Sequence, residues 1–134
     1  MTVAIRRDRE FDSLSHQVIG AAIEVHRQLG PGLLESAYEL CLAEELAIRG
    51  IHFERQVPLP AVYRGRPLEF GYRIDFVVGR IAIEVKAVEA ILPVHRAQLL
   101  TYLRLKKLPI GLLLNFEVPV LREGIVRLVN DYHF

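Results

Sequence analysis

The sequence has no tryptophan, a single cysteine (Cys41), and no apolar run near the ~20 residues that a transmembrane helix requires. One cysteine provides neither an intrachain disulfide nor a cysteine-based zinc site. The opening segment MTVAIRRDREFD lacks the apolar stretch of a signal peptide. We therefore expect a cytoplasmic protein with no membrane partner.

The chain also lacks charge of one dominant sign, because its net charge is only +1. A nucleic-acid-binding function would thus need a local basic patch. At 134 residues the chain is expected to form one domain over residues 12–134, preceded by a flexible, charged segment at 1–11. Its mean hydropathy of +0.24 is on the apolar side, which leaves room for a homo-oligomer or protein-partner interface.

The most informative stretch is GYRIDFVVGRIAIEVKA, residues 71–87. Apolar side chains alternate along it on both sides of Gly79-Arg80, which predicts two strands joined by a two-residue hairpin loop. That loop pairs Val78 with Ile81 and continues so that Asp75 lies opposite Glu84. Lys86, two residues beyond, projects from the same face.

Like charges directly opposed across two strands are destabilising. A divalent cation such as Mg²⁺ would offset the repulsion between Asp75 and Glu84, since it binds through carboxylates and water. The Lys86 ammonium is suited to a phosphate or a developing oxyanion. Alternatively, the three residues form a solvated strand face with an ordinary ion pair, because motifs this short often occur by chance.

Helices and strands flank this hairpin. Apolar spacing predicts a helix from Asp12 or Ser13 to Gly30, a second at 34–49, and a third at 94–108. Strands are predicted at 53–57, 61–63, 68–70, 110–116, 118–121 and 125–129. The hairpin, the third helix and the strand at 110–116 form a β-α-β unit, which indicates a mixed sheet with helices packed on it.

Four motifs together resemble a known family. The run Gly32 to Tyr38, GLLESAY, has the signature of the GxxExxY proteins. Asp75 followed by Glu84-Val85-Lys86 resembles the core of the PD-(D/E)xK nuclease superfamily, and Gln98 with Tyr102 is similar to the QxxxY element of its RecB-like members. The resemblance covers nearly the whole chain. Ile74 stands where the superfamily name has proline.

This resemblance implies an α/β, restriction-endonuclease-like fold, in which a mixed β-sheet is flanked by helices in a single domain. It implies that Glu35, Asp75 and Glu84 bind Mg²⁺ or Mn²⁺, and that Lys86 orients the attacking water or stabilises charge on the phosphate. Gln98 and Tyr102 would position the metal site or the nucleic-acid backbone. The implied function is Mg²⁺-dependent hydrolysis of phosphodiester bonds in DNA or RNA.

The alternative is a non-catalytic module that binds nucleic acid or a protein on the same fold, since a fold alone does not establish activity. Candidate contacts to nucleic acid are Tyr38, Arg64, Arg66, His95 and Arg96. Each of them has a plainer interpretation. Tyr38 is equally suited to core packing, His95 to the surface at a helix start, and the arginines to a solvated face.

Overall fold

In the computed structural model, the backbone is described for residues 2–69 and 71–130, and side chains from residue 13 onward within those ranges. The helices are α1 (Thr2–Leu29), α2 (Glu35–Ile48) and α3 (Pro93–Lys106). The strands are β1 (Glu54–Pro58), β2 (Val62–Tyr63), β3 (Arg66–Pro67), β4 (Arg73–Val78), β5 (Ile81–Lys86), β6 (Ile110–Asn115) and β7 (Ile125–Val129). A 3₁₀ turn, Leu121–Gly124, precedes β7.

Across the described residues, the strands form a five-stranded sheet in the order β1-β4-β5-β6-β7 and a separate β2-β3 hairpin. Among the neighbouring strands of the described sheet, only β5 and β6 run parallel, joined by α3, and the others are antiparallel. This confirms the β-α-β unit and the mixed α/β sheet flanked by helices that the sequence predicts.

The register of the central hairpin is also as predicted, with Val78 paired to Ile81, Val77 to Ala82 and Phe76 to Ile83. Gly79 opens the loop at φ +58, a left-handed conformation that a side chain disfavours. The short loop leaves no freedom to slip, so the turn alone determines which side chains face each other.

Helices cover both faces of the sheet. On one face, α1 and α2 pack against Phe76, Ile83 and Val85, while on the other α3 packs through Leu99 and Leu103. The sequence predicts a half-buried hairpin with one polar face, but β5 is buried almost throughout because α3 lies over that second face. The carboxylates are therefore set at the margin of a second core.

Three boundaries differ from the predictions. Helix α1 begins at Thr2, so Asp12 and Ser13 do not cap it, and flexibility of residues 1–11 stays a prediction because their side chains lie outside the described residues. The predicted strand at 118–121 is absent, since Pro119 has no ladder donor and the chain turns into the 3₁₀ segment. At 68–70, Leu68 and Glu69 lie outside β3, and Phe70 is outside the described residues.

We predict that Gly111→Ala destabilises the fold by separating α3 from the sheet. A Cβ at Gly111 would lie 2.8 Å from Leu99 Cδ2 and 3.1 Å from Leu103 Cδ1. Overpacking of this kind costs about 1–3 kcal/mol in the free energy of unfolding, measurable by urea denaturation. Gly20→Ala is the matched control. It lies inside α1, where its Cβ meets only the flexible Arg49 Nη1 at 3.2 Å, so it should stabilise by up to about 1 kcal/mol. Equal effects at both positions would contradict this packing.

Candidate active site

The β4–β5 hairpin opens just where the two acids would face each other. The described pairs of the ladder end at Phe76 and Ile83. Beyond them the Val85 N–H donates a hydrogen bond of 2.9 Å to Asp75 Oδ2. The Asp75 carboxylate thus accepts a hydrogen bond from a backbone N–H group of β5, and this bond holds Asp75 beside Glu84.

Glu84 is buried, with 6% of its surface exposed. Burial, a hydrogen bond with the Asp75 side chain and repulsion by the Asp75 charge together raise the pKa of its carboxyl from 4.5 to about 10, although the Lys86 charge acts to lower it. Its Oε1 atom is buried without a hydrogen-bond partner among the described residues. Such an atom is costly in a folded protein and calls for a ligand or a functional reason.

Lys86 ends β5 and is half-buried, paired in the ladder with Asn115 of β6. The Phe116 N–H donates to the Lys86 carbonyl at 2.9 Å, and the Asn115 amide bonds both backbone groups of Val88. These contacts fix the end of the strand. The Lys86 ammonium lies close enough to the Glu84 carboxyl to lower its pKa.

Tyr102 reaches the same site from α3. It is 7% exposed, and its pKa is raised above the ordinary value by burial, then by the charges of Glu84, Tyr72 and Asp75. A raised pKa keeps the phenol protonated, so it remains a hydrogen-bond donor at neutral pH. Gln98, one turn earlier on α3, is exposed to solvent.

The polar neighbours on β1 and α2 are not predicted by the sequence. Gln56 Nε2 lies 3.5 Å from Asp75 Oδ1 and also contacts Glu39 Oε1, which accepts a 3.1 Å bond from Arg55 Nη2. Finding Gln56 would have required the pairing of β1 with β4, for which the sequence has no short turn. The polar positions of the strand at 53–57 were the one available signal.

Glu35 does not join the two acids. It is exposed in the first turn of α2, and the described part of the chain contains no group of three or more His, Cys, Asp and Glu side chains placed to bind a metal. The expected convergence of Glu35, Asp75 and Glu84 is therefore not found. The physical reason is that α2 packs through residues further along the helix, Tyr38 and Leu42.

Tyr38 is fully buried, which contradicts the expectation that it contacts nucleic acid. Its ring stacks on Phe116 with centroids 4.6 Å apart. Its hydroxyl donates to the Gly30 carbonyl at 2.6 Å and accepts from the Leu33 N–H at 3.1 Å. The residue instead fastens the loop between α1 and α2 to the end of β6.

The remaining predicted contacts lie on two surfaces. Arg64 and Arg66 are exposed on the β2-β3 hairpin, and Arg96 is exposed in the first turn of α3. His95 Nδ1 accepts a 2.9 Å bond from the Leu92 N–H and so caps α3. This cap occupies one ring nitrogen, and a phosphate contact by the other stays a prediction.

Comparison with known proteins identifies the family of this chain. The sequence model of the PD-(D/E)XK nuclease superfamily matches residues 12–128, which include both acids, Lys86 and Tyr102. Neither the curated proteins nor the solved structures gave a match. No helix among the described residues is long and apolar enough to cross a membrane. Because the match covers most of the chain, the protein belongs to the PD-(D/E)XK nuclease superfamily.

Proposed function

We propose that this protein is a divalent-metal-dependent nuclease that hydrolyses phosphodiester bonds in DNA or RNA. The observation that carries the proposal is the buried Glu84 carboxyl, which touches Asp75 and leaves Oε1 without a partner. An unpaired buried acid next to a second acid destabilises a fold unless something binds between them. Membership of a nuclease superfamily supports the same conclusion.

The donor set fits Mg²⁺ or Mn²⁺. Asp75 and Glu84 supply carboxylate oxygens, which are the ligands that these hard cations prefer, and water and phosphate would complete the coordination. Glu35 is left out of this proposed ligand set, because the described residues contain no group of three acids that could hold a metal. A bound ion would supply a water of lowered pKa and polarise the phosphoryl oxygen.

The surrounding residues have separate roles. Lys86 orients the attacking water or stabilises negative charge on the phosphate, because its ammonium lies next to Glu84 at the end of β5. Tyr102 donates its phenolic hydrogen to Glu84 or to a phosphate oxygen, and Gln98 contacts the substrate backbone from the exposed side of α3. Hydrophobic packing of Leu99 and Leu103 under α3 holds Tyr102 in place.

We predict that Mn²⁺ or Mg²⁺ stabilises the wild-type protein and supports cleavage of mixed oligonucleotides. At 100-fold excess over its Kd, a ligand of the folded state adds ~2.7 kcal/mol to the free energy of unfolding, which thermal denaturation detects. Asp75→Asn should abolish this stabilisation. Lys86→Ala should retain it and lose ~10²–10³-fold in cleavage rate, as on removal of one group that stabilises developing charge.

Matched controls are Glu123→Gln and Lys106→Ala, which change exposed residues outside the site and should leave both measurements unchanged. Metal stabilisation without cleavage of any oligonucleotide would favour the non-catalytic binding module. The metal site is excluded if Asp75→Asn and wild type respond equally to Mn²⁺.

We further predict that Glu84→Gln stabilises the metal-free protein, and increasingly so at higher pH. The pKa of Glu84 rises from 4.5, the ordinary value of a glutamate in an unfolded chain, to about 10 in the folded state, so between these values the folded protein holds a proton that the unfolded chain has released. Wild-type stability should therefore fall by up to ~1.4 kcal/mol per pH unit from this group alone. Glutamine does not titrate and removes the slope.

Urea unfolding at about pH 5, 7 and 9 in the presence of a chelator measures the difference in the free energy of unfolding between wild type and Glu84→Gln, because these pH values lie between the two pKa values. Glu117→Gln, a substitution of a half-buried acid after β6, is the control. Parallel pH profiles for wild type and Glu84→Gln would show that Glu84 ionises normally.

A further inference from the structure

The described residues between β1 and β4, 59–69 with 71 and 72, form an arm that carries the β2-β3 hairpin and is separate from the main sheet. Many of its described side chains are exposed, including the apolar Val62, Tyr63 and Leu68. Its sequence carries Arg64 and Arg66 against a single acid, Glu69. The surface is thus apolar and basic at once, a combination that suits a polyanion with exposed aromatic bases.

Tyr72 joins this arm to the candidate active site. Its carbonyl accepts a 3.1 Å bond from the Leu59 N–H, which closes the base of the arm. Its ring centroid lies 6.1 Å from that of Tyr102, yet Tyr72 is 52% exposed while Tyr102 is 7% exposed. The two rings therefore run from the buried carboxylates outward to the surface.

We propose that Tyr72 stacks on an unpaired nucleobase beside the two carboxylates, while Arg64 and Arg66 contact backbone phosphates, so that the preferred substrate is single-stranded nucleic acid. Stacking on an aromatic ring requires a base whose face is free, and bases inside a duplex are already stacked on each other. Arginine contacts to phosphate position the strand without reading its sequence. This inference deepens the proposed nuclease function and rests on it.

Binding without cleavage tests the inference directly. Fluorescence anisotropy of a labelled oligothymidine and of a duplex of equal length is measured in a chelator, with wild type, Tyr72→Ala and Tyr72→Phe. Loss of one stacked base predicts a weakening of about 5- to 150-fold for oligothymidine with Tyr72→Ala. Tyr72→Phe keeps the ring and should bind like wild type, and duplex binding should not change.

Arg64→Ala should weaken binding to both substrates and reduce the salt dependence, since phosphate contacts release counterions. Arg122→Ala is its matched control, because that arginine is also exposed but precedes β7 at the opposite edge of the sheet. Unfolding midpoints are recorded for each variant so that any loss of affinity is separated from loss of folding.

Several outcomes would overturn the role of Tyr72. The first is that the wild type binds duplex more tightly than oligothymidine. The second is that Tyr72→Ala and Tyr72→Phe lose oligothymidine affinity equally. The third is that Tyr72→Ala dissociates a dimer while its oligothymidine binding stays unchanged. If wild type cleaves oligonucleotides and Tyr72→Ala keeps the same strand preference, only this inference fails. If wild type shows no metal-dependent cleavage, the proposed function fails, while the binding comparison still decides whether Tyr72 stacks on a base.

An independent observation concerns Gln56, whose backbone has φ +50 inside β1. A non-glycine residue in this left-handed region is strained, and such strain is concentrated at functional sites. Gln56 lies between the ladder pairs Arg55–Phe76 and Val57–Ile74, so it faces Asp75. The unusual backbone accompanies an amide that lies 3.5 Å from Asp75 Oδ1 and contacts Glu39.

We infer that Gln56 is a positioning residue for the Asp75 carboxylate. Its amide donates a long, 3.5 Å hydrogen bond to Oδ1 while the Val85 N–H donates to Oδ2 at 2.9 Å, so each oxygen has a donor before a ligand binds. Removal of a group that orients a metal ligand typically weakens metal affinity about 10- to 100-fold. This inference also rests on Asp75 being a metal ligand.

Gln56→Gly separates strain from positioning, because glycine accepts φ +50 but has no amide. We expect a protein at least as stable as wild type in urea, with Mn²⁺ affinity reduced ~10- to 100-fold in titration calorimetry. Lys107→Gly is the matched control, since Lys107 also has a left-handed backbone, with φ +59, but lies at the C-terminal end of α3. It should likewise be at least as stable as wild type, with unchanged Mn²⁺ affinity.

A metal-free readout keeps this test decisive. Without the Gln56 amide, the Asp75 carboxylate is freer to leave the Val85 N–H, so amide hydrogen exchange at Val85 should be faster in Gln56→Gly than in Lys107→Gly. Equal exchange rates at Val85 in the two variants would overturn the positioning role even if no Mn²⁺ binds. Equal Mn²⁺ affinities would overturn it where Mn²⁺ does bind.

Discussion

The structure depends on the contact between two carboxyl groups at the point where the β4–β5 hairpin opens. Asp75 accepts a hydrogen bond from the Val85 N–H, and Glu84 is buried beside it with a strongly raised pKa. In a chain selected for stability alone, an apolar pair at these positions would fold better, because the ladder would continue and no charge would need burial. The rest of the fold therefore has to supply the free energy that this contact removes.

The two faces of the sheet do so in different ways. Beneath it, α1 and α2 pack a continuous apolar cluster in which Tyr38 stacks on Phe116 and ties the loop after α1 to the end of β6. Above it, α3 covers the inner strands, with Tyr102 at the edge of that cover. The site thus lies between the buried core and the exposed arm, so that one side of it is shielded from solvent and the other is accessible to a long polymer.

What the sequence could predict was local. The loop at Gly79 has one plausible length, so it determined the register and brought Asp75 and Glu84 together before any tertiary contact was considered. Placement between distant elements was beyond it. The position of Glu35 depends on which turn of α2 packs on the sheet. The position of Gln56 depends on the pairing of β1 with β4, and the arm that connects these two strands has no turn that fixes their register. Burial of the second hairpin face depended on α3 in the same way.

In the proposed metal-dependent enzyme, the opposed acids would also link folding to metal binding. Glu84 holds a proton in the metal-free fold, whereas a cation can bind only the ionised carboxylate, so binding must release that proton. Rising pH therefore weakens the metal-free fold and would strengthen metal affinity through the same group. Because the two effects have opposite signs, a bound cation would cancel much of the pH dependence that Glu84 imposes on stability. The buried acid that destabilises the metal-free protein would thus be the group through which a bound cation stabilises it.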